Sequence, residues 1–456
     1  MIAHNFPESF KLHIKQLLGT EETLFFQAHE QTAPVSVRLN PEKNYTQWLQ
    51  EKTVPWCNMG RYLTARPLFT ADPLFHAGCY YVQEASSMSI EIFIKENIDL
   101  NKPITALDLC AAPGGKSTHL LSLLHRDSSL FCNEVIPKRN QILCENIIKW
   151  GKCNVIVTQN SAKDFSHLEN FFDLVIVDAP CSGEGLFRKD PASISEWSEK
   201  NVERCALRQR AILEEIIHAI KPGGILIYST CTYQRCENEM HIEWLCQSKG
   251  FKEIKIKSSL PAGLLQSDYG YRFYPHKIEG EGFYIACLRK EFSLERKRDF
   301  PTAFFLPGKE SIKPVKTKEL VQDLIQLIQC EGGLSWLIFK DNYICIPELV
   351  WQRVASVVPL LNIQLLGTAV ASAPNNQLVH PAALSVYLSR HVKTLALDKA
   401  EALEYLKGQA MHKQLDKGWY LATYEGAALG WIKSVGNRLN NLYPKHWKIR
   451  MNIPMN

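Results

Sequence analysis

No apolar run in this chain approaches the ~20 residues that a membrane-spanning helix needs, which excludes a helical membrane protein. The first residues, MIAHNFPESFKLHI, lack the basic-then-apolar layout of a secretory signal, so a cytoplasmic protein is expected. None of the fourteen cysteines stands in a C-x-x-C arrangement, the spacing that zinc ribbons and thioredoxin-like sites use. A metal site is therefore not expected, and most of these thiols should be reduced and buried. Net charge is also slight: 52 Lys+Arg against 47 Asp+Glu leaves +5, too little to establish a nucleic-acid partner. Internal repeats and low-complexity tracts are missing. What is present is 46% hydrophobic residue in 456, enough for several cores and, at ~150 residues each, about three domains.

The pattern is mixed up to residue 85, with helical stretches at Phe10–Leu18 and Glu21–His29 and a strand at Val35–Leu39. From Ile104 it becomes regular. Short apolar runs (TALDLCAA, SLFCNEV, NVIVT, FFDLVIVDAP, GGILIYSTCT) alternate with helical stretches, and FKEIKI and GFYIACLRK follow as late strands. Continuous apolar strands alternating with helices predict a parallel sheet covered on both faces, a doubly wound α/β domain over 86–290. Residues 291–318 carry three prolines and many charges and read as a linker. An intermediate α/β segment is expected over 319–380. A last, β-rich module follows over 381–456, with TLALDKAEALEYLKG as a helix. Its end, Trp431 to Asn456, holds Lys433, Arg438, Lys445, Lys448 and Arg450 and no acid. Trp431, Tyr443 and Trp447 interleave with these cations, a pattern suited to phosphate contact with base stacking.

In a doubly wound sheet ligands bind beyond the carboxyl ends of the strands. The first strand runs into Asp108-Leu109-Cys110-Ala111-Ala112-Pro113-Gly114-Gly115-Lys116-Ser117. A P-loop would need glycine where Cys110 stands, and a dinucleotide fingerprint needs G-x-G-x-x-G, so neither ATP nor NAD is supported. Small residues there let a ligand lie against the turn, with helix N-terminal amides facing its carboxylate. The second strand ends at Asn133-Glu134, where an acid can accept from both hydroxyls of a ribose. That pairing points to S-adenosylmethionine.

Two cysteines escape the bland reading. Cys181 follows the fourth strand in Asp178-Ala179-Pro180-Cys181-Ser182-Gly183-Glu184-Gly185, and Cys231 follows the fifth in Ser229-Thr230-Cys231-Thr232. Two thiols at a methyl-donor site suit methylation at carbon 5 of a pyrimidine. That carbon becomes nucleophilic only after a thiolate adds to carbon 6 with hydrogen bonding or protonation at N3, and a base must later remove the carbon-5 proton. Asp178, Cys181 and Cys231 supply such a set.

The stretches GCYYVQEASSM, DLCAAPGGKSTHL, NEVIPKRNQILCENI, DLVIVDAPCSGEGLFRKDP and KPGGILIYSTCTYQRCENE resemble the NOL1/NOP2/Sun family of RNA 5-methylcytosine methyltransferases. The closing GWYLATYEGAALGWIKSVGNRLNNLYPKHW resembles the PUA-like module of the bacterial RsmF-type branch, which modifies small-subunit ribosomal RNA. The resemblance implies a Rossmann-like methyltransferase domain between an N-terminal α+β RNA-binding region (1–85) and a C-terminal PUA-like domain. It implies Cys231 as nucleophile, Cys181 as the residue assisting release, Asp178 near N3 and Lys116 beside it. The donor would be held by Cys110, Ala111, Ala112, Pro113, Gly114, Gly115, Lys116, Glu134, Ser161 and Asp178. Ser161 stands where the family commonly has an aspartate, so weaker donor binding is expected. Arg38-Leu39-Asn40 resembles the family's R-x-N element, making Arg38 and Asn40 RNA-binding candidates with Lys433, Arg438 and Lys445. The expected partner is RNA of the small subunit, bound by a monomer, with no membrane and no metal; His76, His119 and His276 read as structural or surface residues. A transfer-RNA enzyme of the same family, a DNA cytosine methyltransferase and a non-catalytic assembly factor remain the alternatives.

Overall fold

A computed structural model describes residues 6–43, 45–292, 312–315, 322–411 and 413–452. Most of the linker expected at 291–318 lies outside these residues. The central sheet is built on β1 (Thr105–Asp108), β2 (Ser129–Asn133), β3 (Val155–Thr158), β4 (Phe172–Asp178), β5 (Ile220–Thr230) and β6 (Phe283–Lys290). Their spatial order is β6-β5-β4-β1-β2-β3, with β5 through β3 parallel and β6 antiparallel to β5. Chain order reverses between β1 and β4, so the crevice where a doubly wound sheet binds its ligand opens at the ends of Asp108 and Asp178.

Side-chain alternation explains why the strands are apolar throughout. Leu107, Val175, Val177 and Leu226 face one core, while Ala106, Leu174, Ile176 and Ile225 face the other. Helix α1 (Gly115–Leu123) and α2 (Pro137–Trp150) cover the second face through Leu120, Leu121, Leu143 and Ile147. Helix α3 (Glu199–Ile216) covers the first through Leu213 and Ile216.

The intermediate segment contributes more than its own sheet (Leu334–Phe339, Asn342–Pro347, Thr368–Ser372), which Lys313–Pro314 of the expected linker joins as an edge strand. Its strand β7 (Ile363–Leu366) pairs antiparallel with β3 and extends the central sheet. In the last module TLALDKAEALEYLKG splits. Thr394–Ala396 is a strand parallel to Gly418–Tyr424, and the helix begins only at Lys399. Asp398 and Glu401 form a reciprocal capping box there, which sets the start of the helix. No helix among the described residues is long and apolar enough to cross a membrane.

The N-terminal region has helices Glu8–Leu18 and Glu22–His29 and a sheet ordered 53–54, 57–63, 35–39, 80–82. Here the RNA-binding reading of Arg38 and Asn40 is corrected. Their side chains are only 1% and 2% exposed. Arg38 donates to Gln83 Oε1 at 2.8 Å, Thr118 Oγ1 at 2.6 Å and Gly115 O at 3.2 Å, and its guanidinium lies 4.5 Å from the Trp150 ring centroid. Asn40 donates to the carbonyls of Gly78 and Trp150. Both residues fasten the N-terminal sheet to α1 and α2. Arg38→Ala would strand Gln83 and Thr118 without their donor, so it should cost about 3 kcal/mol of stability while leaving the salt dependence of RNA binding unchanged. Chemical denaturation and RNA titration together check this.

Candidate active site

Cys181 and Cys231 leave neighbouring strand ends and meet with their sulfurs 3.1 Å apart, both as free thiols. Two buried glutamates staple the loops that carry them. Glu237 accepts from Ser182 N at 3.0 Å, Ser182 Oγ at 2.5 Å and Gln209 Nε2 at 2.8 Å. Glu184 accepts from Thr232 Oγ1, Tyr233 N, Gln234 Nε2 and Trp197 Nε1, at 2.7 to 3.0 Å. Each carboxylate on one loop thus holds the other loop. Gly185 completes the junction: its amide donates to Cys231 O at 2.8 Å, and a Cβ there would lie 2.1 Å from Gly282 O. Only glycine fits that approach. The hydrogen bond with Cys231, together with burial, pushes the Cys181 thiol well above its ordinary pKa, so Cys181 is held protonated.

The N-terminal helices brace this region from behind. Phe10 and Phe25 share a core with Phe187, Trp197 and Tyr233, and Tyr233 lies two residues past the Cys231 position. Lys116 Nζ pairs with Asp178 Oδ2 at 2.8 Å, and Ser229 Oγ donates to Asp178 Oδ1 at 2.7 Å. Lys116 is 9% exposed and Asp178 38%, so the carboxylate is the wetter partner of the pair. The ammonium also sits 5.0 Å from the Phe283 ring centroid.

At the glycine turn, Gly114 has φ 116°, the left-handed region that favours glycine, and it precedes α1 directly. Glu134 is buried, accepts from Ile136 N at 2.9 Å and pairs with Arg139 at 3.3 Å. Arg139 in turn donates to Ala112 O, tying the turn to the acid. Beneath them Asp108 is fully buried and bound by Ser117 Oγ at 2.6 Å, while its Oδ1 has no hydrogen-bond partner. Burial raises its carboxyl to about 7, and Asp178 and Glu134 add like charge. Arg139 and Asp108 stand within the NEVIPKRNQILCENI and DLCAAPGGKSTHL stretches, but spacing alone gives them no role.

Ser161 is exposed and caps the short helix Ala162–Phe165. Its amide and hydroxyl both donate to Asp164 Oδ2, at 2.8 and 3.0 Å, and Asn160 Nδ2 reaches the same oxygen at 3.2 Å. A carboxylate therefore stands three residues after the serine, restoring negative charge to this loop. The loop is also held from the intermediate segment, since Asn362 N donates to Asn160 Oδ1 at 3.0 Å.

In the last module, Arg438 and Lys445 are exposed and Lys433 is half-buried, its ammonium 5.3 Å from the Trp419 ring centroid. The interleaved aromatics are corrected as base-stacking candidates in two cases. Trp431 and Tyr443 are buried, and Trp431 Nε1 donates to Val379 O at 3.0 Å. Trp447 packs beside Lys149 on α2. Among the histidines, His119 joins Cys57 and Glu91 in a buried group whose ligand-type atoms lie within 4.8 Å of one another, a juxtaposition that sequence spacing hid. Lys95 pairs with Glu91 at 2.5 Å, and burial lowers His119 to about 4, so the group is already balanced as a neutral imidazole beside an ion pair.

Comparison with known proteins agrees with this geometry. Residues 97–289 match the family described as 16S rRNA methyltransferase RsmB/F. Residues 6–85 match the N-terminal domain of 16S rRNA methyltransferase RsmF, and 392–449 match the methyltransferase RsmF PUA domain. The ribosomal RNA small subunit methyltransferase F of Aliivibrio fischeri strain MJ11 is 30% identical over 472 residues, covering 96% of this chain and 97% of its own. Its counterpart from Escherichia coli O81 is 28% identical over 476 residues, covering 96% of each chain. A methyltransferase homolog protein from Pyrococcus horikoshii superposes with TM-score 0.54 at 30% identity, over 63% of this chain and 96% of that one. NSun6 from the same organism, solved with SFG, superposes with TM-score 0.53 at 22% identity over 63% and 99%, a likeness of fold.

Proposed function

Because the chain belongs to the RsmB/F family of 16S rRNA methyltransferases and is a methyltransferase, we propose that it methylates carbon 5 of a cytosine in small-subunit ribosomal RNA, with S-adenosylmethionine as donor. The observation that carries this reading is the pair of thiols 3.1 Å apart on adjacent strand ends, beside the Lys116–Asp178 pair. Other methyl acceptors, such as amines or hydroxyls, need no such pair. The donor-side residues fit the cofactor: Gly114 and Gly115 leave the turn free of side chains, and Glu134 presents a buried carboxylate at the next strand end. Cys110 to Lys116, Glu134, Ser161 and Asp178 would hold it, and when bound it supplies an electrophilic methyl group.

The chain's own residues perform the rest. The target base leaves its stack to reach the strand ends. Cys231 adds to carbon 6, and Asp178 binds the base near N3, its carboxyl steadied by Lys116 and Ser229. That addition makes carbon 5 nucleophilic. After methylation solvent water takes the carbon-5 proton, the electron pair of that C–H bond forms the carbon 5–carbon 6 double bond, the carbon–sulfur bond breaks, and its electron pair returns to Cys231. Cys181 is the group placed to exchange a proton with that departing sulfur. The site works in the cytoplasm on a monomer's own residues. The test is incubation of unmethylated small-subunit RNA or subunits with the protein and donor, followed by bisulfite sequencing. One or a few protected cytosines are expected; methyl transfer without bisulfite protection would move the chemistry to another atom.

The C-terminal cations carry a further expectation. Arg438→Glu with Lys445→Glu should weaken RNA binding, because each lost phosphate contact lowers the log–log salt slope by roughly 0.7 to 0.9. Donor affinity should not change, since these residues lie outside the central sheet. Deleting the module is a poor substitute: Leu403, Leu406 and Tyr443 share one core with Val37, Leu39 and Tyr80 of the N-terminal region. Its removal would expose that apolar surface and destabilise the remainder.

A further inference from the structure

A cleft of about 460 Å³ lies where the N-terminal region meets the methyltransferase domain. Its size is in the range of ~300–1,000 Å³ typical of ligand sites. Residues 29–36, Arg66 and 82–84 line it from one module, and Arg188, Lys189 and Glu281 from the other. Most of its acids are committed. Glu281 forms a buried pair with Arg188 at 3.1 Å, and Glu84 accepts from the amides of Ser86, Ser87 and Glu281, each at 2.9 Å. Its cations differ. Arg66 and Lys189 are exposed, and neither forms a salt bridge among the described residues; Arg66 only overlies the Phe69 ring. Glu30 is the one exposed acid of the lining.

The cleft adjoins the reaction site on two sides. Lys189 follows the loop whose Gly185 amide holds the Cys231 carbonyl. Gln83, in the cleft wall, packs against Gly115, where an added Cβ would lie 3.6 Å from its Cδ.

We propose that this cleft takes the ribose–phosphate strand flanking the target cytosine, with Arg66 and Lys189 as its phosphate contacts. The proposal rests on the RNA-methylating reading above. Two exposed cations from different modules, neither in a salt bridge among the described residues, flank a lining that includes Gln31, Thr32 and Ser36, an arrangement that suits a phosphodiester chain. Cations at such positions set affinity and register without reading sequence.

The test measures binding of the full chain to unmethylated small-subunit RNA and to small subunits, at several salt concentrations, using whichever probe the wild type binds more tightly. Arg66→Ala and Lys189→Ala should each lower the salt slope by roughly 0.7 to 0.9, and the double variant should bind about tenfold more weakly at low salt. Arg66→Lys and Lys189→Arg should retain the slope. A double variant with wild-type affinity and slope overturns the proposal. So does weakened binding with an unchanged slope, because that is a shape effect and not phosphate contact. Cytidine monophosphate binding that the double variant loses, with RNA binding intact, would assign the cleft to a free nucleotide and also overturn it. Failure of the functional reading is seen separately, as absence of carbon-5 methylation by the wild-type protein.

Discussion

Cys231→Ala should abolish methylation, with a loss on the order of 10⁴-fold or more, as expected when a covalent nucleophile is removed. The protein should stay folded. Among the described residues the Cys231 side chain hydrogen-bonds only Cys181, and its backbone carbonyl keeps the Gly185 amide whatever side chain is present. A change within about 1 kcal/mol of stability is expected for so small a deletion at a partly exposed thiol. Donor binding should also survive, because the glycine turn and Glu134 follow β1 and β2 and Arg139 lies on α2, away from the loop that carries Cys231. Calorimetry with S-adenosylmethionine and a radiolabelled methyl-transfer assay separate the two effects. Turnover by Cys231→Ala alongside an inactive Cys181→Ala would exchange the two roles and favour the assignment found in DNA cytosine methyltransferases.

The positions of the candidate site residues are legible because each ends or follows a strand whose apolar run marks its own end. Asp178, Cys181 and Cys231 could be placed on one rim of the sheet before any geometry was known. Their supports were not legible in the same way. Glu184 and Glu237 stand inside the same motifs, yet each acts on a loop about fifty residues away, as Thr232 to Glu184 and Ser182 to Glu237 show. No local pattern encodes which loop a buried carboxylate will staple. Arg38 fails for a related reason. An arginine on a strand usually faces water, and only the partners Gln83, Thr118 and Trp150 reveal that this one is enclosed.

Short strands were the other blind spot. Ile363–Leu366 offers only three apolar residues around Gln364, and its partner Val155–Thr158 lies some two hundred residues earlier. Three residues at Thr394–Ala396 merge into the strong helical pattern that follows, although Asp398 carries the helix-start signal. These misses have a functional consequence. The strand at 363–366 and Asn362 reach the donor-side loop at Asn160, so the intermediate segment is part of the methyltransferase frame and not a separate appendage.

Cys181→Ala should give a different failure: the base is attacked and methylated but not released. Among the described residues Cys181 is the one side chain hydrogen-bonded to the Cys231 sulfur, and it is held as a protonated thiol there. When the carbon–sulfur bond breaks, charge develops on Cys231, and a neighbouring S–H is what can stabilise it or hand over a proton. Alanine supplies neither. The covalent protein–RNA species should therefore accumulate, visible as a band that resists denaturant on a gel and disappears after ribonuclease treatment. Multiple turnover should fall by roughly 10²- to 10⁴-fold, the usual span of a lost acid–base partner, while a single round of methyl transfer proceeds. The Cys181→Ala/Cys231→Ala double variant should show no band, since the trap needs the nucleophile. Serine at 181 restores a donor of similar size, though a less acidic one, and should partly clear the adduct. If Cys181→Ala turns over freely without accumulating the band, release does not depend on the second thiol, and its place 3.1 Å from Cys231 would then serve to position the nucleophile.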